Sequence, residues 1–193
     1  MKNHPQTQTT IRSRIALATR DIHDALHKDP VLGKLLEPSV TLDQYQHALG
    51  HFLMFYSVVE HQRRLMGIWS EYSLSDDCAA LRCDLRAPRL SQESKLRLET
   101  PSALLGGLYV ACGAAFGRSQ FRANVEKALP GARHSFVQRR PDKSLWASLV
   151  SDMEKTGAAP AEYDQLFDGA NRSFEFMAGL KLEELVIAGQ HAP

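Results

Sequence analysis

Cysteine is scarce and poorly placed for cross-linking: Cys78, Cys83 and Cys112 are an odd number and form no Cys-x-x-Cys pair. Neither a disulfide framework nor a zinc knuckle fits that usage, and a reducing cytoplasm is the expected compartment. Charge of one sign is also missing. Lys and Arg total 23 against 22 Asp and Glu, a formal net charge of +1. The basic excess of a dedicated nucleic-acid binder is therefore absent. No run approaches the roughly 18–20 consecutive apolar residues of a membrane span, and residues 1–10 carry no apolar signal-peptide core. Internal repeats and low-complexity tracts are lacking, as is sustained polar–apolar alternation with β-branched enrichment. What remains is a chain of 193 residues, 44% hydrophobic and 23% charged, the mix and size of one ordinary globular domain.

Helical periodicity runs almost throughout. Ile11, Ile15, Ala18, Ile22 and Leu26 recur at intervals of three and four from Thr10 to His27, marking one helical face. Asp29-Pro30 breaks that helix, and a short piece, Val31 to Leu36, precedes Pro38. Thr41 is the expected N-cap of a long helix from about Leu42 to Trp69. Ser75-Asp76 opens another toward Leu85, and Thr100-Pro101 reads as N-cap and first helical residue of a helix to about Ala128. Arg133 to Asp142 is a loop or short helix. Lys143 to Thr156 and Ala161 to about Gly189 complete the series. The expectation is one all-α domain of about six to eight helices over 11–189, with a disordered N-terminal tail at 1–10 and a C-terminal tail at 190–193.

Eight histidines are available for chemistry. His23 shares a helix side with residues 15, 19, 22 and 26, so it is expected to face inward. Two readings stay open: a hydrogen-bonded core histidine, or an axial ligand to a metal inside a helical fold. His23/His27 and His47/His51 each put two imidazoles on one helix face. There is no His-Glu-x-x-His, and no paired Glu-x-x-His motifs of the ferritin-like kind, so a di-metal site is not expected. His47 and His51 read as a polar stripe.

The helix after Thr100 contains Gly106, Gly107, Gly113 and Gly117. Glycine inside a helix costs about 1 kcal/mol relative to alanine, so four together need a use. Gly106, Val110, Gly113 and Gly117 fall on one face, with Ala114 beside them. A face without side chains serves tight helix packing, or lets the backbone approach a planar cofactor. Gly106-Gly107 has neither the strand context nor the Gly-Lys-Ser/Thr of a phosphate loop.

Ala18-Thr19-Arg20-Asp21-Ile22-His23 resembles the proximal-helix signature of haem (heme) oxygenases, Ala-Thr-x-x-x-His. Gly107-Leu108-Tyr109-Val110-Ala111-Cys112-Gly113-Ala114-Ala115-Phe116-Gly117-Arg118 is similar to their distal helix, in the bacterial form associated with bacteriophytochromes. Phe55-Tyr56-Ser57-Val58-Val59-Glu60 and Leu81-Arg82-Cys83-Asp84-Leu85 add to the likeness. The Trp146 and Phe174 helices fall where that family's last helices fall.

The resemblance implies a cytoplasmic, biliverdin-producing enzyme. Heme would be both cofactor and substrate, cleaved to biliverdin, CO and iron with O₂ and electrons from an external donor such as ferredoxin. A bacteriophytochrome could receive the product; neither nucleic acid nor a membrane is an expected partner. His23 becomes the iron ligand, the site's one metal-binding residue. Gly113 and Gly117 become the catalytic glycines over the porphyrin, with Val110 and Thr19 as further cofactor contacts. Arg12 and Arg20 are candidates for the propionates, as are Arg139, Arg140 and Lys181.

The distal helix departs from the family at Cys112 (usually Glu), Ala114 (usually Ser, or the water-ordering carboxylate of the animal enzymes) and Arg118 (usually Gly). Ala16 stands where the animal enzymes carry a basic residue. Two alternatives therefore accompany the enzyme: a non-catalytic heme-binding sensor or carrier on the same fold, and a helical protein-interaction module whose glycine face packs on a partner.

Overall fold

The computed structural model describes residues 9–85, 89–90, 96–179 and 185–186. Its helices start where side chains can cap them. Thr10 accepts from the Ser13 amide at the head of α1 (Ile11–Ala18). Thr19 then interrupts the periodicity: at φ −99°, ψ 5° it departs from helical geometry, and its hydroxyl donates to the Ile15 carbonyl at 2.9 Å. The single first helix expected from the sequence is therefore two, α1 and α2 (Arg20–Leu26). A hydroxyl that bonds back to its own preceding turn is a known way to bend a helix.

The segment after Pro30 is a 3₁₀ turn, Leu32–Leu36, started by Asp29, whose carboxylate accepts from the Val31 and Leu32 amides. Thr41 and Gln44 form a reciprocal capping box for α3 (Leu42–Met66), satisfying two amides that the helix leaves unpaired. Gly67, in the left-handed region at φ 67°, ends α3 three residues before the sequence implied, because only glycine takes that backbone without a Cβ penalty. After a 3₁₀ turn at Ser70–Tyr72 come α4 (Ser75–Asp84), α5 (Pro101–Ala128) and the one-turn α6 (Ser135–Gln138). Then follow α7 (Lys143–Thr156), capped by Asp142, and α8 (Pro160–Gly179).

Helix α8 ends at Gly179 rather than near Gly189, and Leu185–Val186 pairs antiparallel with Arg89–Leu90. These two-residue strands β1 (89–90) and β2 (185–186) are the extent of β structure among the described residues. Of the expected tails, residues 1–8 and 190–193 lie outside the described residues, and Thr10 is already the cap of α1. None of the described helices is long and apolar enough to cross a membrane.

Helix α5 is the axis of the fold. Its first half crosses α8 at glycine. A Cβ on Gly106 would strike the Leu166 carbonyl oxygen and the Ala170 nitrogen, and one on Gly169 would strike the Ala103 backbone. Ser102 and Glu162 hydrogen-bond across the same crossing. On its other side α5 meets α3, where the buried Tyr56 hydroxyl donates to the Ala111 carbonyl at 2.7 Å.

Polar clamps close the remaining joints. Asp84 accepts from the Ser135 and Phe136 amides. Glu60 accepts from Arg63, the Leu74 amide and the Ser75 hydroxyl. Burial alone would raise the Glu60 carboxyl, but those donors outweigh it and hold its pKa at about 2.

Candidate functional site: a histidine-walled cavity along the second half of α5

Beyond Ala111 a cavity of about 630 Å³ opens along one face of the same helix. That lies within the range of small-molecule sites. Helix α2 and the loop after it form one wall, with His23, Leu26 and His27. Gly113, Ala114 and Gly117 of α5 form the facing wall. Phe52 and Phe55 from α3, Trp146 from α7, and Phe174 and Met177 from α8 close the sides. Polar groups are few: Arg12, the two histidines, Tyr109 and Gln120, with no carboxylate on the wall. A mostly apolar slot with a few polar points suits a large, mostly apolar ligand whose polar groups are met at those points.

His23 is not a core histidine. Its side chain is 53% exposed and borders the cavity, with Nδ1 3.4 Å from Asp24 Oδ1. The ring is steadied edge-on by His27 (centroids 4.9 Å apart) and by Phe174 (5.9 Å). His27 borders the cavity because its C-cap backbone stays helical and so carries its side chain one turn beyond His23. Among the described residues, no three His, Cys, Asp or Glu side chains gather into a metal site. Two imidazoles, His23 and His27, border the apolar slot, and a single imidazole is the donor that heme iron needs from a protein.

Two glycines of the α5 wall border the cavity. A Cβ at Gly117 would meet nothing within 4 Å, and one at Gly113 would lie 3.6 Å from the Trp146 ring. Gly117 therefore offers bare backbone to the cavity, while Gly113 lines it beside the Trp146 ring. Val110 also lines it while remaining 6% exposed. Gly106, which the sequence placed on the same face, is spent on the α8 crossing.

Of the basic candidates, Arg12 alone borders the cavity, its guanidinium 5.9 Å from the Trp146 ring centroid. Glu154 of α7 accepts from both the Ile11 and Arg12 amides, at 2.9 and 3.1 Å, and so fixes where α1 begins. Arg20 pairs with Asp21 away from the cavity, and Arg139 pairs with Asp76 and Asp77. Arg140 is not on the cavity wall, and Lys181 lies outside the described residues. Thr19 is 2% exposed, off the wall, and serves the α1–α2 bend.

Two of the distal-helix departures point away from the cavity. Arg118 is a buried cation, 2.8 Å from Asp77 Oδ1 and 4.4 Å over the Phe136 ring, and it also donates to the Phe136 carbonyl. Cys112 is set off the wall, and burial pushes its thiol up to about 12, which removes the reactive thiolate. Ala114 does face the cavity.

His51 corrects the sequence reading of a polar stripe. It is 1% exposed, neither ring nitrogen has a partner among the described residues, and burial lowers its pKa to about 4. His47 of the same helix turn pairs with Asp43 at 3.3 Å. Tyr109, Phe116 and Trp146 escaped the sequence reading as site residues, because nothing local marks which aromatics of a helical protein meet across helices.

No family model matches the sequence, and no curated protein matches it. Among solved structures, a heme oxygenase from Neisseria meningitidis, determined in NO- and CO-bound forms, matches over 95% of this chain and 99% of its own, at 21% identity and a TM-score of 0.66. The chain thus has an all-α fold like that of a heme oxygenase.

Proposed function

We propose that the cavity binds heme and that the protein is a heme oxygenase. The observation that carries this reading is the juxtaposition of an exposed imidazole, His23, with the bare backbone of Gly117 across an apolar slot, bordered by Trp146 and, one turn before Gly117, by Gly113. Bound heme supplies the iron for O₂ activation and is itself the ring that is cut, giving biliverdin, CO and iron with electrons from an external donor such as ferredoxin.

The chain's part is to bind and orient. With Nδ1 3.4 Å from Asp24 Oδ1, it is Nε2 of His23 that would serve as the donor to a metal. Gly117 lets the α5 backbone lie against a ring face, while its amide stays in the helix ladder. Arg12, its guanidinium 5.9 Å from the Trp146 ring centroid, is placed to pair with a carboxylate at the rim. Phe52, Phe55, Phe121 and Phe174 exclude water from the slot. A cytoplasmic setting and a biliverdin-accepting bacteriophytochrome belong to the same proposal.

One observation favours a second reading. With Ala114 on the wall, no described lining residue is a carboxylate that could order water over the ring. This suits a heme carrier or sensor without turnover.

Hemin titration separates these readings. The enzyme gives a Soret band at one equivalent, which ascorbate or a ferredoxin system bleaches as biliverdin absorption appears. The carrier gives the band without bleaching. In His23→Ala the histidine-ligated spectrum is lost and imidazole in solution restores it. Absence of any one-equivalent Soret band in the wild type refutes both readings.

A further inference from the structure

The two glycines that face the cavity are not equivalent. At Gly117 a Cβ would point into open space, whereas at Gly113 it would sit 3.6 and 3.7 Å from Cη2 and Cζ3 of Trp146. The indole thus already fills the space beside Gly113. It is held there from three directions. Tyr109 stacks on it at 5.6 Å and 27°, and Phe116 meets it edge-on at 5.4 Å. These residues lie four before and three after Gly113, on its own helical face. From α1, the Arg12 guanidinium lies 5.9 Å away, within cation–π range.

Aromatic rings clamped on both sides keep one rotamer and present a hard edge to whatever enters. Helix α7, which carries Trp146, is in turn tied to α1 through Glu154. The wall is therefore rigid on the Gly113 side and open on the Gly117 side.

We infer that Trp146 is the specificity-determining residue of the cavity. Its indole edge stops a planar ligand from sliding under Gly113 and so selects which rim of the ring lies beneath Gly117. The inference rests on the heme reading above. It assigns the in-plane seating of the ring to one residue of α7, outside both ligand-facing helices.

The test is proton NMR of the cyanide-ligated ferric hemin complex, whose hyperfine-shifted ring methyls report in-plane seating without turnover. The wild type gives one dominant methyl pattern. In Trp146→Ala the pattern changes or splits into two, and the biliverdin isomer ratio shifts with it. Trp146→Phe keeps a flat edge and stays near the wild-type pattern. Trp146→Leu replaces the alanine variant if the latter does not fold, and is held to the same criterion. A hemin-loaded alanine or leucine variant with the wild-type methyl pattern overturns the inference and leaves the heme reading intact. A wild type that takes up no hemin overturns the heme reading, and the inference with it.

Discussion

Gly106 and Gly117 sit on one helix and, by spacing, on one face, yet their surroundings differ in kind. At Gly106 the α8 backbone is so near that a single added carbon cannot fit. At Gly117 the added carbon meets nothing within 4 Å. The first glycine gives up helix propensity for a close helix crossing. The second gives it up on the cavity wall, with no contact for an added carbon among the described residues. Packing accounts for the first half of the glycine-rich helix, and ligand contact is the role proposed for the second.

The contrast recurs across a single peptide bond. Gly117 faces the cavity, while Arg118 turns inward to Asp77, with side chains 4% and 16% exposed. Removing one partner of a buried ion pair leaves the other uncompensated, so Asp77→Ala is expected to cost about 3–5 kcal/mol in urea unfolding. Hemin affinity of the molecules that remain folded should not change. A loss well below that range would mean that Arg118 finds water.

Gly106→Ala is the next largest effect. The clash with the α8 backbone should cost about 1–3 kcal/mol despite the better helix former. Calorimetry of the apo-protein reads it as a lowered Tm, again with hemin binding intact.

His51 tests the closed side by pH. It lies on α3 beside the cavity-lining Phe52, buried near Asp29 and His47, with its pKa lowered from 6.5 to about 4. A histidine kept neutral in the fold binds its proton more readily when unfolded. Stability should therefore fall as the pH drops from about 6.5 toward about 4. His51→Leu removes two buried polar atoms that have no partner among the described residues, and should flatten that slope without loss at neutral pH. An unchanged slope, followed by denaturation midpoints across this window, would assign the acid sensitivity elsewhere.

Much of this was legible in the sequence, because caps and periodicity are local. Thr41, Thr100-Pro101 and Asp142 start their helices where the sequence implies. The break at Thr19 was not legible: a threonine tolerated in a helix and one that bends it look alike until its hydroxyl finds the Ile15 carbonyl. His23, Gly113, Gly117, Val110 and Arg12 meet at one cavity. Thr19 and Arg20, adjacent to one another and near His23, do not join them, because a bend and half a turn of helix carry them elsewhere. His51 misled for a related reason. Its polarity suggested solvent, while the burial that overrides it comes from segments distant in the chain.

The smallest expected effect is at the open end. Gly117→Ala should stabilise the apo-protein by up to about 1 kcal/mol, since helix propensity improves and nothing is displaced. Equal and opposite responses at Gly106 and Gly117 would sharpen the division of α5 into a packing half and a ligand half.

Gly117→Leu, measured for apo-protein Tm and for hemin uptake on the same preparation, probes that division most directly. A Tm at or above the wild-type value, with hemin affinity reduced at least tenfold, is the predicted result. A lowered Tm with undiminished hemin binding would contradict it and return the whole glycine face to helix packing.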